Sequence, residues 1–206
     1  MRLEMLMKPT DIKIDDYRTP DWPIEPMLYR RWSPRAMSGE TLNDEEIMSL
    51  FEAARWAPSS YNAQHWRFLY TTRGSTHWEK YLGFLVEGNF AWAKNAGLLI
   101  VLVSRTTTEP DGNPVRTYSF DAGAAWQNIA LQSSAMDLVS HGMQGFDYEK
   151  ARTELNVPDD YSVEIMIAVG KPGEIDKLPA SAREKEAPNS RKPLADIIIE
   201  GNFRIE

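Results

Sequence analysis

The chain contains no cysteine among its 206 residues. That excludes disulfides, thiol nucleophiles, iron–sulfur clusters and thiolate zinc sites together, and it suits a reducing compartment. Histidine is scarce too: His65, His77 and His141 are widely separated, and no two share metal-ligand spacing. Positive charge is in deficit, with a formal net charge of -7. An acidic chain gains little from counterion release, so nucleic-acid binding is disfavoured, as is general affinity for anionic membranes. Long hydrophobic runs are missing. The longest aliphatic stretch, residues 98–103, suits a buried strand and is too short to span a bilayer. No apolar segment of signal-peptide type follows Met1, so a cytoplasmic protein is expected. Neither GxGxxG nor GxxxxGK[ST] occurs, which leaves Rossmann and P-loop chemistry unsupported.

What is present is an ordinary globular composition, 42% hydrophobic and 26% charged, enough for one domain with a sizeable core. Residues 1–28 carry Pro9, Pro20, Pro23 and Pro26 and little periodicity. They read as an extended arm, which either wraps a partner subunit or is a loosely ordered terminus. Residues 29–206 are expected to form a single domain with a C-terminal tail.

Asn43 and Glu46 form a candidate capping box before Ile47, Leu50, Phe51 and Ala54, spaced for an amphipathic helix that Pro58 stops near Trp56. Strands are expected over 67–72, 97–104, 163–169 and 194–199. The second is apolar on both faces, as befits the centre of a covered sheet. Helices are expected over 75–86, broken at Gly88-Asn89-Phe90, over 119–138, and over 147–155. In the long helix, Phe120, Ala124, Gln127, Asn128, Leu131 and Ala135 make one stripe, whose amides need partners if buried. An α+β fold follows, with helices on both faces of a sheet.

Two segments carry the chemistry. In Arg30-Arg31-Trp32-Ser33-Pro34-Arg35, guanidinium forks flank a hydroxyl, a combination that binds phosphate oxygens. On residue type alone, such a cluster is more often a solvated surface. The loop at residues 58–64 offers Ser59, Ser60, Asn62 and Gln64, whose amides can read a heterocycle edge or satisfy their own turn. Arg191 and Lys192, far away in the tail, either close over the same phosphate or form a basic surface turn.

The order of motifs resembles the FMN-dependent nitroreductase family. It runs Arg-Arg-x-Ser-x-Arg, Ala-Pro-Ser-Ser-x-Asn-x-Gln-x-Trp, Gly-Asn-Phe, Asp-x-Gly-x-Ala-x-Gln-Asn, Gln-Gly-Phe-Asp, Gly-Lys-Pro and a late Arg-Lys-Pro-Leu, over residues 29–194. The resemblance implies a nitroreductase-like α+β fold with a mixed, mainly antiparallel sheet. It also implies an intertwined homodimer in which the C-terminal tail embraces the partner, and bound FMN at the subunit interface.

By the same resemblance, Arg31, Ser33 and Arg35, with Arg30 beside them, meet the FMN phosphate and ribityl chain, and Arg191 with Lys192 reaches the phosphate. Pro58, Ser59, Ser60, Asn62 and Gln64 lie along the flavin of the other subunit. Asn89 meets the pyrimidine edge, and the backbone N–H groups of Gln144 and Gly145 approach the ring. NAD(P)H is then the hydride donor in a ping-pong cycle that reduces nitroaromatics, quinones or similar small acceptors. No side chain need act as acid or base. Other chemistry on the same fold (dehalogenation, dehydrogenation, flavin fragmentation) and a non-catalytic FMN-binding dimer are the alternatives.

The chain departs from the family at Gln64-His65-Trp66, where a proline is common, and in a lysine for which only Lys94 is near. His65 is expected as a polar turn residue, with a place facing the ligand pocket as the alternative. His141 is a candidate pocket residue, while Trp92 and Trp126 are expected as core or interface packing.

Overall fold

The computed structural model describes residues 6–203. Residues 1–5 and 204–206, the ends of the expected arm and tail, lie outside the described residues. Four strands form one sheet in the order β1 (Trp66–Thr72), β2 (Leu98–Arg105), β4 (Tyr161–Gly170), β3 (Val139–Met143), every pair antiparallel. The expected mainly antiparallel sheet is therefore wholly antiparallel among the described residues.

Period-2 alternation divides β2 between two cores. Leu99, Val101 and Val103 face one side with Met166 and Ala168 of β4, under Trp78, Tyr81 and Leu82 of α3 (Trp78–Leu82), α4 (Glu87–Ala93) and α6 (Tyr148–Glu154). Leu98, Ile100 and Leu102 face the other with Ile167 and Val169, under α2 (Asp44–Arg55) and α5 (Tyr118–Ala135). Helices on both faces explain why β2 lacks polar alternation.

The capping box forms as expected. The Glu46 N–H donates to Asn43 Oδ1 and the Asn43 N–H to Glu46 Oε2, both at 2.8 Å, and Ile47, Leu50 and Ala54 bury the inner face of α2.

Four expectations need correction. The stripe on α5 is displaced: Asp121, Ala122, Ala125, Ile129, Ala130 and Ser133 are buried, and Phe120 is 81% exposed. Small residues let α5 lie close to α2, so the buried side is the alanine side and not the bulky one. Asn128 keeps a partner nevertheless, donating to the Ala53 carbonyl at 2.9 Å.

The helix expected over 75–86 is confined to α3, and the break falls at residues 83–86, where Phe84 turns into the core and Leu85 bridges to Phe146. Gly88-Asn89-Phe90 lies inside helix α4 instead of ending one. The final strand over 194–199 is absent. A 3-10 turn spans Leu194–Asp196, and Ile197, Ile198 and Ile199 stay exposed and pair with no strand among the described residues. β3 was not anticipated: Ser140, His141 and Gly142 hide a strand of only five residues.

The arm makes two 3-10 turns, at Pro9–Asp11 and Ile14–Asp16, and a short helix α1 (Pro26–Arg30). It lies on its own chain: Pro9 and Ile12 are buried, and the Ile175 N–H donates to the Met7 carbonyl at 3.0 Å. A last short helix, α7 (Ala180–Arg183), precedes the tail. No helix of the described residues is long and apolar enough to cross a membrane.

Candidate functional site

Beyond α1 the chain becomes extended at Arg31 (φ -64°, ψ 128°). Extended backbone turns Pro34 and Ala36 into the body and leaves Arg31, Ser33 and Arg35 beside a cavity of about 260 Å3. Trp32, His141 of β3, Arg18 of the arm, and Lys185, Ala187, Asn189 and Arg191 of the tail complete the lining. Five cationic side chains from three remote segments thus meet around one small space. Arg30 points elsewhere, 3.5 Å from Asp15. Lys192 lines a neighbouring cavity between the arm and the tail.

Arg18 ties the three segments together. Its Nε donates to the Asn189 carbonyl at 2.7 Å, and its NH1 to the carbonyls of Tyr29 (2.8 Å) and Arg31 (2.9 Å). Sequence inspection missed Arg18 and Lys185, because neither lies near the arginine run in the chain.

Opposing charge is scant. Glu186, buried beneath the run, accepts from the N–H groups of Arg35 (2.7 Å) and Ala36 (2.8 Å) and sits 3.6 Å from the Arg35 guanidinium. Burial pushes its carboxyl up despite those donors. The guanidinium pKa values of Arg18 and Arg31 are lowered, first by burial and then by the charge of Arg191. Arg31 NH1 donates to Ser33 Oγ at 3.2 Å, while its Nε is buried without a partner. A buried, unpartnered guanidinium donor within mutually repelling cations is what a dianionic phosphate would satisfy. The residues present therefore fit the phosphate of FMN.

His141 connects this cavity to a second polar feature. Its Nδ1 lies 3.2 Å from the Pro34 carbonyl oxygen and its ring 4.9 Å from that of Trp92. Trp92 is buried in the core, as expected, and Trp126 packs half-buried against the second core cluster. β3 then leads to Gln144 and Gly145. Asn89 Nδ2 donates to the Gly145 carbonyl at 3.0 Å, and the Val86 N–H donates to the same oxygen at 3.2 Å. A Cβ at position 145 would lie 2.7 Å from Asn89 Nδ2, so glycine permits this contact. The N–H groups of Gln144 and Gly145 donate to no acceptor among the described residues.

Burial and the charge of Arg35 hold the His141 imidazole down to about 4, against the pull of the Pro34 and Ser33 carbonyls. Its folded value lies below its ordinary 6.5, so between these values the unfolded chain binds more protons. The stabilisation is present above pH 6.5 and is lost as pH falls toward 4. It amounts to roughly 3 kcal/mol at most. We expect the stability advantage of the wild type over His141→Gln to shrink on acidification through this window in urea titrations. A difference that stays constant with pH would refute the assignment.

The loop at residues 58–64 lies apart from the cation cavity. Tyr61, Asn62 and Gln64 all have left-handed backbone, with φ of 52°, 56° and 50°, a conformation that costs side-chain-bearing residues energy. Part of the loop satisfies itself: Ser59 Oγ accepts from the Gln64 N–H at 3.1 Å, and Gln64 Nε2 donates to the Asn62 carbonyl at 2.8 Å. Pro58 and Asn62 are exposed and Tyr61 fully so. His65, expected in a polar turn, is buried and lines a second cavity with Ser60.

Fold and site together describe an α+β protein with a phosphate-type cavity beside a polar notch. Residues 28–171 match the nitroreductase family, and the chain belongs to that family. Protein DrgA of Synechocystis sp. is 31% identical over 199 residues, spanning 80% of this chain and 86% of that protein. A solved oxidoreductase containing FMN superposes with a TM-score of 0.88 at 39% identity, covering 92% of this chain and 97% of the other. An FMN-dependent nitroreductase from Clostridium difficile gives 0.65 at 26% identity, over 86% and 98% of the two chains.

Proposed function

We propose that the protein is an FMN-dependent oxidoreductase that takes reducing equivalents from NAD(P)H and passes them to nitroaromatics, quinones or similar small acceptors. The observation that carries this reading is the five-cation cavity with its buried, unpartnered Arg31 Nε. Likeness to an oxidoreductase containing FMN supports it.

Arg31, Arg35 and Arg191 would neutralise the phosphate, and Ser33 would add a hydroxyl donor. Asn89, with the N–H groups of Gln144 and Gly145, would meet the polar edge of the ring and favour negative charge there. In a homodimer, residues 58–64 of the second subunit would complete the site, which accounts for their separation from the cation cavity. FMN held by Arg31, Ser33, Arg35 and Arg191 would supply two-electron hydride-transfer chemistry between nicotinamide and the second substrate. The protein's part is binding, orientation and electrostatics, with no side chain required as acid or base.

Adding FMN to the purified protein, removing excess and recording the visible spectrum tests this directly. We expect a retained flavin spectrum that bleaches on anaerobic titration with NADH or NADPH. A protein that retains no flavin would overturn the reading.

A further inference from the structure

The arginine run has an acid at its back. Glu186, in the tail beyond α7, is buried with its side chain wholly covered. It does not line the cation cavity and meets it only through Arg35. Its two oxygens do different things. Oε1 accepts from the successive N–H groups of Arg35 and Ala36, at 2.7 and 2.8 Å. The Ala36 carbonyl in turn accepts from the Gly173 N–H, so the extended backbone behind Ser33 and Arg35 is held from two directions. Oε2 accepts no hydrogen bond among the described residues and lies 3.6 Å from Arg35 NH1. That guanidinium nitrogen is otherwise lightly tied, donating to the Lys185 carbonyl at 3.3 Å.

An amide oxygen would accept both N–H groups equally well, so holding the backbone does not require a charge. A buried carboxylate is unfavourable unless a cation offsets it, and Arg35 is the cation within reach. Arg35 also faces the cavity that fits a phosphate. One guanidinium thus serves two anions.

We infer that Glu186 is an internal counter-ion of the phosphate site: Oε1 positions residues 31–36, while Oε2 competes with the phosphate for Arg35. Glu186 is a positioning residue and touches no ligand. The inference rests on the phosphate assignment made above and adds a proton to it. As a phosphate engages Arg35, the buried carboxylate loses its cation and gains a like-charged neighbour, so it takes up a proton from solvent and becomes neutral. Burial already raises this carboxyl from its ordinary 4.5. Above that value the ionised carboxylate opposes the phosphate, and as pH falls toward it the opposition disappears. Few other charges bear on the pair. Arg183 and Glu184, the charged residues of the preceding turn, are exposed. His141 of β3, beside Arg35, is held down to about 4 and is neutral above that range. Arg18, Arg31, Lys185 and Arg191 line the cavity as cations.

Titration calorimetry of the purified full chain with FMN, and separately with inorganic phosphate, tests the inference. Glu186→Gln keeps the acceptor and removes the charge. It should bind FMN at least about threefold more tightly than wild type at about pH 8, the order expected for one charge removed within about 10 Å. The advantage should shrink below about twofold at about pH 5. Comparing the two proteins cancels the titration of the phosphate itself. Glu186→Ala removes the acceptor as well, strands two N–H groups, and should bind FMN more weakly than Glu186→Gln and melt below wild type. In two buffers of different ionisation enthalpy at about pH 7, wild type should take up protons on binding that Glu186→Gln does not. A merely structural glutamate would leave both proton uptake and the pH dependence of the affinity ratio unmoved. Glu186→Gln binding no tighter than wild type at about pH 8, a ratio constant with pH, equal affinities of the Gln and Ala variants, or no proton uptake by wild type would each overturn the inference. A wild type that binds phosphate but retains no flavin would overturn the flavin reading alone, since the same comparisons are made with phosphate. Uptake of neither anion would overturn both.

Discussion

Replacing Arg31 by alanine is expected to weaken FMN binding by about 100-fold or more, since a pair of charge-assisted hydrogen bonds contributes about 3 kcal/mol or more. Arg31, like Arg35, is partly buried, and its Nε is left without a partner. In the flavin-free protein the same guanidinium is a burden, because burial first and then the nearby charge of Arg191 lower its affinity for protons, and its own charge adds to the lowering at Arg18. Removing it relieves that repulsion. Affinity should therefore collapse while the melting temperature of the apoprotein changes little. Arg31→Lys, which keeps the charge and loses the fork, should fall between. Flavin fluorescence titration of apoprotein provides the affinity. A dissociation constant for the alanine variant within about threefold of wild type would show that the phosphate is held elsewhere.

A second large effect is expected from Gly173→Ala. Residues 36–38 and 171–173 run side by side: the Gly173 N–H donates to the Ala36 carbonyl at 2.9 Å and the Ser38 N–H to the Lys171 carbonyl at 2.9 Å, with a bridge between Met37 and Pro172. A Cβ on Gly173 would lie 2.5 Å from both C and O of Met37 and 2.8 Å from the Ser38 nitrogen. These are backbone atoms inside a hydrogen-bonded seam, so rotamer change cannot relieve the overlap. We expect about 3 kcal/mol of destabilisation, at the upper end of ordinary overpacking. That corresponds to roughly 6–12 °C in melting temperature for a chain of this size. Flavin affinity should fall as well, because the displaced strand continues directly into Ala36 and Arg35. Gly88→Ala is the contrast: a Cβ there meets nothing within 4 Å, and the residue lies within α4. Alanine should be neutral or slightly stabilising at that position. A Gly173→Ala protein that melts within about 2 °C of wild type would show that the seam yields at little cost.

The parts of the fold that were legible in the chain are those encoded by contiguous residues. The capping box, the inner face of α2, and the strands at Trp66–Thr72, Leu98–Arg105 and Tyr161–Gly170 all follow from local spacing. The errors share a cause. The buried side of α5 was misjudged because close packing against α2 favours small side chains, so the larger Phe120 and Leu131 marked the wrong face. β3 escaped notice because its place at the sheet edge is conferred by pairing with β4, not by its own apolar content. Residues 194–199 have strand-forming side chains but pair with no strand among the described residues. Propensity without a partner does not make a strand.

The site divides in the same way. By itself the sequence determined the absence of cysteine chemistry and the covered sheet, since these depend on residue type and local order, and the resemblance of its motifs suggested roles for Arg31, Ser33, Arg35, Asn89, Gln144, Gly145 and Arg191. Only the tertiary structure decided that Arg18 and Lys185 join the arginine run, that Arg30 turns away to Asp15, and that Asn89 meets Gly145 across 56 positions of chain. It also decided that residues 58–64 stand apart from the cation cavity. The physical reason is one of range. Periodicity and capping act over a few residues, whereas a binding cavity is an arrangement of charge in space, and charges distant in sequence meet only once the cores beneath them are packed.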